Sequence, residues 1–197
     1  MQFTTFALAA LSIGSTFAIS VPQPKVLLTA VSAAIDGKTA VDTEVAIIQK
    51  AVVDTVDNEV IPAVSASLAN IKDEVENLKD TVLPIIEDIL LPLVASELAL
   101  LPLLIFDVQC IVTDIKNSFS LLLAELSDDL LHVIKTEVEL VIATIEPFIT
   151  PIVNFANEAT KDLSSTSITN INDAVNIIEA DLAEVLGPVK TAFDQIY

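Results

Sequence analysis

Residues Leu83–Val112 read LPIIEDILLPLVASELALLPLLIFDVQCIV, and no other stretch limits the fold of this chain so strongly. Between Ile89 and Phe106 the only charged side chain is Glu97, so the segment must leave water or shield something that does. Pro84, Pro92 and Pro102 each remove a backbone donor and crowd the preceding turn, which predicts short helices meeting in a buried corner or hairpin. About twenty apolar residues would suffice to cross a bilayer. A central carboxylate, two prolines and acidic flanks at Glu87, Asp88 and Asp107 are poor company in lipid, so no transmembrane segment is expected in the mature chain.

Either side of this centre, apolar residues recur at helical spacing. Val41, Val45, Ile48, Val52 and Val56 form one stripe, and Val64, Leu68, Ile71, Val75, Leu78 and Val82 form a second. Val108, Val112, Ile115, Phe119, Leu122 and Leu126 precede Leu131, Ile134, Val138, Val141 and Ile145, predicting two long helices or one interrupted at Ser127–Asp129. Ile171, Val175, Ile178, Leu182 and Val185 mark a late helix. Asp36-Gly37, Pro147 with Pro151, the stretch Leu163–Ser167 and Gly187-Pro188 read as breaks, and seven of the prolines read as helix starts. No run alternates at a period of two over strand length, and three glycines leave few hairpin turns. The expected fold is all-α: a bundle of about five to seven amphipathic helices around a proline-broken apolar central hairpin.

Residues 1–20 carry no charged side chain and join an apolar run, Phe6–Ile13, to small residues at Ala18 and Ser20, the pattern of a secretory signal peptide cleaved before Val21. The expectation is a secreted, extracellular protein whose residues 21–197 form one helical-bundle domain. Cys110 is the only cysteine, so no internal disulfide staples that domain. It reads as a small helical hydrophobe, with a thiol linking two chains as the alternative. Nine lysines and no arginine face twenty-eight acidic residues, and a net charge of −19 repels nucleic acid and anionic lipid headgroups alike.

Catalytic and metal chemistry is hard to build here. His132 is the single histidine, and no cysteine pair or carboxylate loop has ligand spacing, so neither metal nor cofactor is expected. His132 projects away from its apolar stripe, as a surface residue does. No glycine-rich phosphate loop and no Gly-x-Ser-x-Gly elbow occur. Without tryptophan and with one tyrosine, a sugar cleft lacks its aromatic platforms. The chain reads as a non-enzyme.

Core packing accounts for one stripe per helix, but Leu98–Phe106 is apolar all round, and the pairs Leu90/Leu91, Leu130/Leu131 and Ile177/Ile178 widen the stripes. Such width serves either a larger dry core or an internal slot for an acyl chain. The leader, the disulfide-free helices, the rows of Ala, Val, Leu and Ile with Asp and Ser between them, and the ending AVNIIEADLAEVLGPVKTAFDQIY resemble the fungal hydrophobic surface-binding protein A family, which includes cell-wall galactomannoproteins. That resemblance implies a secreted helical bundle, free or wall-associated, that adsorbs to hydrophobic surfaces or holds a fatty acid or lipid chain between its helices. The candidate ligand-binding residues are Leu93, Leu103, Ile115, Phe119, Leu122, Val138, Val141 and Phe155, with Ser118 as a polar end. The alternative is a structural or interaction protein whose apolar faces meet another chain, including a second copy of itself.

Overall fold

The computed structural model describes residues 25–54, 57–161 and 166–196. The expected leader and most of the expected loop Leu163–Ser167 lie outside the described residues. Those that are described form helices and no strand, as the 3.6-residue period predicts. Five long helices dominate: α1 (Lys25–Asp54), α2 (Asp57–Glu87), α4 (Leu101–Glu125), α5 (Asp128–Thr160) and α6 (Thr166–Glu184). A single turn, α3 (Ala95–Leu98), sits in the apolar corner, and a π turn (Val185–Val189) leads into α7 (Lys190–Asp194).

The stripes explain the packing. All six positions from Val64 to Val82 are buried, as are Val108, Val112, Ile115, Phe119 and Leu122 on α4 and Leu131, Ile134, Val138, Val141 and Ile145 on α5. They join Val41, Val45 and Ile48 of α1 and Ile171, Val175 and Ile178 of α6 in one continuous core. Phe193 of α7 closes one side of it by meeting Phe119 edge to face at 6.3 Å between ring centres. Lys135 of α5 donates to the carbonyls of Asp194 and Ile196 and holds the chain end down.

Several expected breaks are absent. α1 runs unbroken through Asp36-Gly37, and α5 runs through Pro147 and Pro151. Pro62 and Pro84 lie inside α2, and Pro188 lies in the π turn; of the corner prolines, Pro102 stands at a helix start and Pro92 in irregular chain. The physical reason is placement. Pro84 and Pro147 are exposed, as are Asp80 and Ala143, the residues four back whose carbonyls lose their partner, and the packed stripe on the other side holds the helix through. The break at Ser127–Asp129 does occur, where Leu126 and Ser127 turn the chain between α4 and α5. His132 is exposed, in line with its expected surface position.

Helix α1 packs against α2 and α4, α4 against α6 and α5, and α5 against α2 and α6, closing a ring in the order α2, α1, α4, α6, α5. Gly37 meets Leu78 and Glu44 meets Asn70, so α1 and α2 are antiparallel, and the two-residue link at 126–127 turns α5 back along α4. Across the α1–α4 seam, Lys38 and Asp42 both act on Asp107, Cys110 and Asp114. With α2 antiparallel to α1 and only the 13 residues of the corner 88–100 between α2 and α4, α1 and α4 run in the same direction. The end of α2, the corner 88–100 and the starts of α1 and α4 therefore gather at one end of the bundle. Ile89–Phe106 is no single rod: it comprises the irregular corner, α3 and the first turns of α4. Two helical stretches, Ala95–Glu125 and Asp128–Thr160, are long and apolar enough to cross a membrane by length and composition.

Candidate functional site

Five of the nine sequence-predicted ligand residues, Ile115, Phe119, Leu122, Val138 and Val141, are fully enclosed in the common core. Leu93 and Phe155 are half-buried against that core, and Leu103 stands half in solvent on α4. Ser118 is buried, and its hydroxyl donates to the carbonyl of Asp114 one turn earlier at 2.9 Å, so its polar end is turned to its own backbone. The structure thus places most of the set in or against one common core.

The apolar surplus is found elsewhere. In two of the three widening pairs one member packs inward, with Ile178 buried and Ile177 exposed, and Leu131 buried and Leu130 half-buried; in the third, Leu90 and Leu91 are both exposed, Leu90 at 80%. Val94 in the corner, with Leu103 and Phe106 on the first two turns of α4, adds exposures of 38%, 50% and 56%. Helical period extends this patch onto α1. Ile35 and Leu28 stand seven and fourteen residues before Asp42, two and four turns back on the face that meets α4, and both are exposed. On α4, Leu103 shares a face with Asp107, Cys110 and Asp114 at the i, i+4, i+7, i+11 positions. Leu28, Ile35, Leu90, Leu91, Val94, Leu103 and Phe106 therefore collect around one end of the bundle. Of these seven residues only Leu103 is among the nine sequence-predicted ligand residues, although the all-round apolarity of Leu98–Phe106 and the Leu90/Leu91 pair are visible signals of the patch.

Polar groups continue the same seam. Lys38 Nζ contacts Asp42 Oδ2 at 2.6 Å, and the hydrogen bond to Asp42 raises the Lys38 pKa. Burial raises the carboxyl of Asp107 and the thiol of half-buried Cys110 above their ordinary ranges. On the other side of α4, Asp181 of α6 is buried and accepts from Thr113 Oγ1 at 2.6 Å and Lys116 Nζ at 2.8 Å, pinning the two helices together. Lys116 also lies 3.8 Å from Glu184.

Among the described residues, four of the bundle's surface depressions hold about 350 to 550 Å³ each. One lies between α1 and α2 and is lined by Thr43, Glu44, Asn70, Asp73, Glu74 and Asn77 among others. None of the four is lined by any of the nine predicted ligand residues. Among the described residues no group of three histidine, cysteine, aspartate or glutamate side chains is placed to hold a metal ion. Set beside protein-family models, curated proteins and solved structures, the chain matches none.

Proposed function

We propose that this is an exported, non-enzymatic protein that adsorbs to uncharged hydrophobic surfaces through the apolar end of its bundle. The observation that carries the reading is the gathering of Leu90, Leu91, Val94, Leu103 and Phe106, with Leu28 and Ile35 beside them, in water on an otherwise strongly acidic molecule. Moving the exposed half of a Leu or Phe side chain into a dry phase is worth about 1 kcal/mol. Seven such groups supply about 7 kcal/mol, close to a micromolar affinity before ordering costs are subtracted. An acyl chain between the helices would require Ile115, Phe119, Leu122, Val138 and Val141 to part; adsorption at the exposed end requires nothing to move. The charge of −19 selects against anionic membranes, which favours waxy, alkane-like or neutral lipid surfaces.

The test is retention on octyl-coated beads. Changing Leu90 and Phe106 together to Asp is expected to weaken half-saturation by at least about tenfold, since about 2 kcal/mol of transfer energy is lost. Val53→Asp with Val133→Asp, exposed apolar residues outside the proposed patch, should leave it within about twofold. Equal losses from both pairs would remove the assignment to this end. A doubled mass in light scattering that the Leu90/Phe106 variant returns to a monomer would instead assign the same patch to a second copy of the chain.

A further inference from the structure

Among the described residues, the two buried acidic side chains are treated in opposite ways. Asp181 is met by Thr113 and Lys116. Glu97 is 3% exposed, and no hydrogen bond or ion pair engages its carboxylate. The buried hydroxyls of Ser118, Thr144 and Thr160 are answered as well, each by a carbonyl of its own helix. A carboxylate taken out of water without a partner is costly, and an apolar residue would fill the same corner without that cost. Its oxygens are not sealed off. Asp42 Oδ1 and Glu137 Oε2 are the fully covered side-chain oxygens that lack a partner, so the little of Glu97 that meets water includes its carboxylate.

Main-chain hydrogen bonds fix Glu97 within the apolar end. Its N–H donates to the carbonyl of Val94 at 3.0 Å, Leu100 N–H donates to its own carbonyl at 2.9 Å, and Leu103 N–H donates to the carbonyl of Leu100 at 3.1 Å. Val94 and Leu103, two exposed members of the patch, therefore bracket it in one hydrogen-bonded run. Between Leu83 and Val112 the chain carries Glu87, Asp88, Glu97 and Asp107 and no basic residue, and Lys38 of α1 is engaged with Asp42.

We propose that Glu97 receives the head of a long-chain primary amine, whose alkyl tail lies along Leu90, Leu91, Val94, Leu103 and Phe106. The headgroup preference rests on the adsorbing role of the same end and adds selectivity to it. An ammonium supplies both the opposite charge and up to three donors to a carboxylate that has none, in a setting where charge attraction is stronger than at an open surface. With so little of Glu97 open, a slender head is required; a quaternary ammonium is wide and has no N–H to donate. A fatty acid of the same length would set like charges side by side.

Calorimetric titration with dodecylamine below its micellar concentration, at about 0.15 M salt where charges are screened over about 8 Å, should show one site. Its affinity should exceed that of the neutral dodecyl ether of octaethylene glycol by about tenfold, and that of dodecanoate by more. Glu97→Gln should bring the amine down to the neutral probe, while retention on octyl beads stays within about twofold and shows that the corner is intact. Glu87→Gln with Asp88→Asn, exposed acids nearby, should leave amine affinity within about threefold. An equal loss from that pair would reduce the effect to general attraction by a charge of −19 and overturn the site. Equal wild-type affinities for amine and neutral ether, with octyl retention intact, overturn the headgroup site and leave adsorption standing. An amine preference that depends on Glu97 without octyl retention supports the site and overturns adsorption. A wild-type dimer that Glu97→Gln dissolves would give the carboxylate to a lysine of a second copy and overturn the amine site.

Discussion

Gly37 shows how one missing carbon sets the distance between two helices. A Cβ at this position would lie 2.5 Å from Leu78 Cδ1 and 2.7 Å from its Cδ2 and Cγ, and Leu78 is itself buried, so it has little room to yield. Glycine here permits close approach of α1 to α2; the helix runs straight on, so the Asp36-Gly37 pair that looked like a helix end is a packing device. Helix propensity favours Gly37→Ala by about 1 kcal/mol, while overpacking costs about 1 to 3 kcal/mol. The clash should win, and a urea melt is expected to show a net loss of about 1 kcal/mol. Adding Leu78→Ala should recover part of that loss, so the double variant is more stable than the two single losses predict. Strict additivity would mean that the two side chains do not compete for one space. The same local logic separates Asp181, satisfied by Thr113 and Lys116, from Asp42, whose Oδ1 is buried without a partner.

Helix continuity across proline depends on what the opposite face buries. In α5, Phe148, Ile149, Ile152 and Val153 are buried around Pro147 and Pro151, so interrupting the helix would expose about 1.5 to 3 kcal/mol of side chain at each. One lost backbone bond and a ring clash cost about 3 kcal/mol in a helix interior, which the stripe outweighs. Pro147→Ala restores a donor toward the exposed Ala143 turn and should raise stability by about 1 to 2 kcal/mol, less than the full penalty because proline also stiffens the unfolded chain. A loss of stability in the urea melt would mean that proline is serving as a helix start there after all. This is where the sequence was least legible. Periodicity in Val64–Val82 and Leu131–Ile145 identified the buried faces, because one stripe satisfies its own geometry. Proline and glycine are local signals, and their effect was decided by tertiary contacts such as Gly37 against Leu78. The nearness of Lys38 and Asp42 to the α4 groups Asp107, Cys110 and Asp114 was hidden for the same reason: each looks like an ordinary polar residue on its own helix until α1 and α4 are brought together.

At the scale of the whole molecule, two opposed tendencies meet: an apolar end that seeks a dry surface and a charge of −19 that keeps copies apart. At low ionic strength, adsorbed molecules repel one another over about 30 Å in 0.01 M salt, more than the width of two packed helices. At 1 M the screening length is about 3 Å, so neighbours no longer sense the full charge. The single-molecule contact with a neutral alkyl surface contains no ion pair to screen, because Leu90, Leu91, Val94, Leu103 and Phe106 carry no charge. Saturation coverage on octyl beads should therefore rise with salt, by about twofold between 0.01 M and 1 M sodium chloride, as the spacing set by repulsion shrinks toward the bundle's own diameter. If the acidic exterior itself were the contact surface, for example against a cationic polymer, added salt would release the protein instead. Coverage measured by quartz microbalance on an alkyl monolayer separates the two signs, and the Leu90/Phe106 double-Asp variant fixes which end of the bundle is responsible. A rise with salt in the wild type that the variant lacks is what an apolar end on a strongly charged body requires.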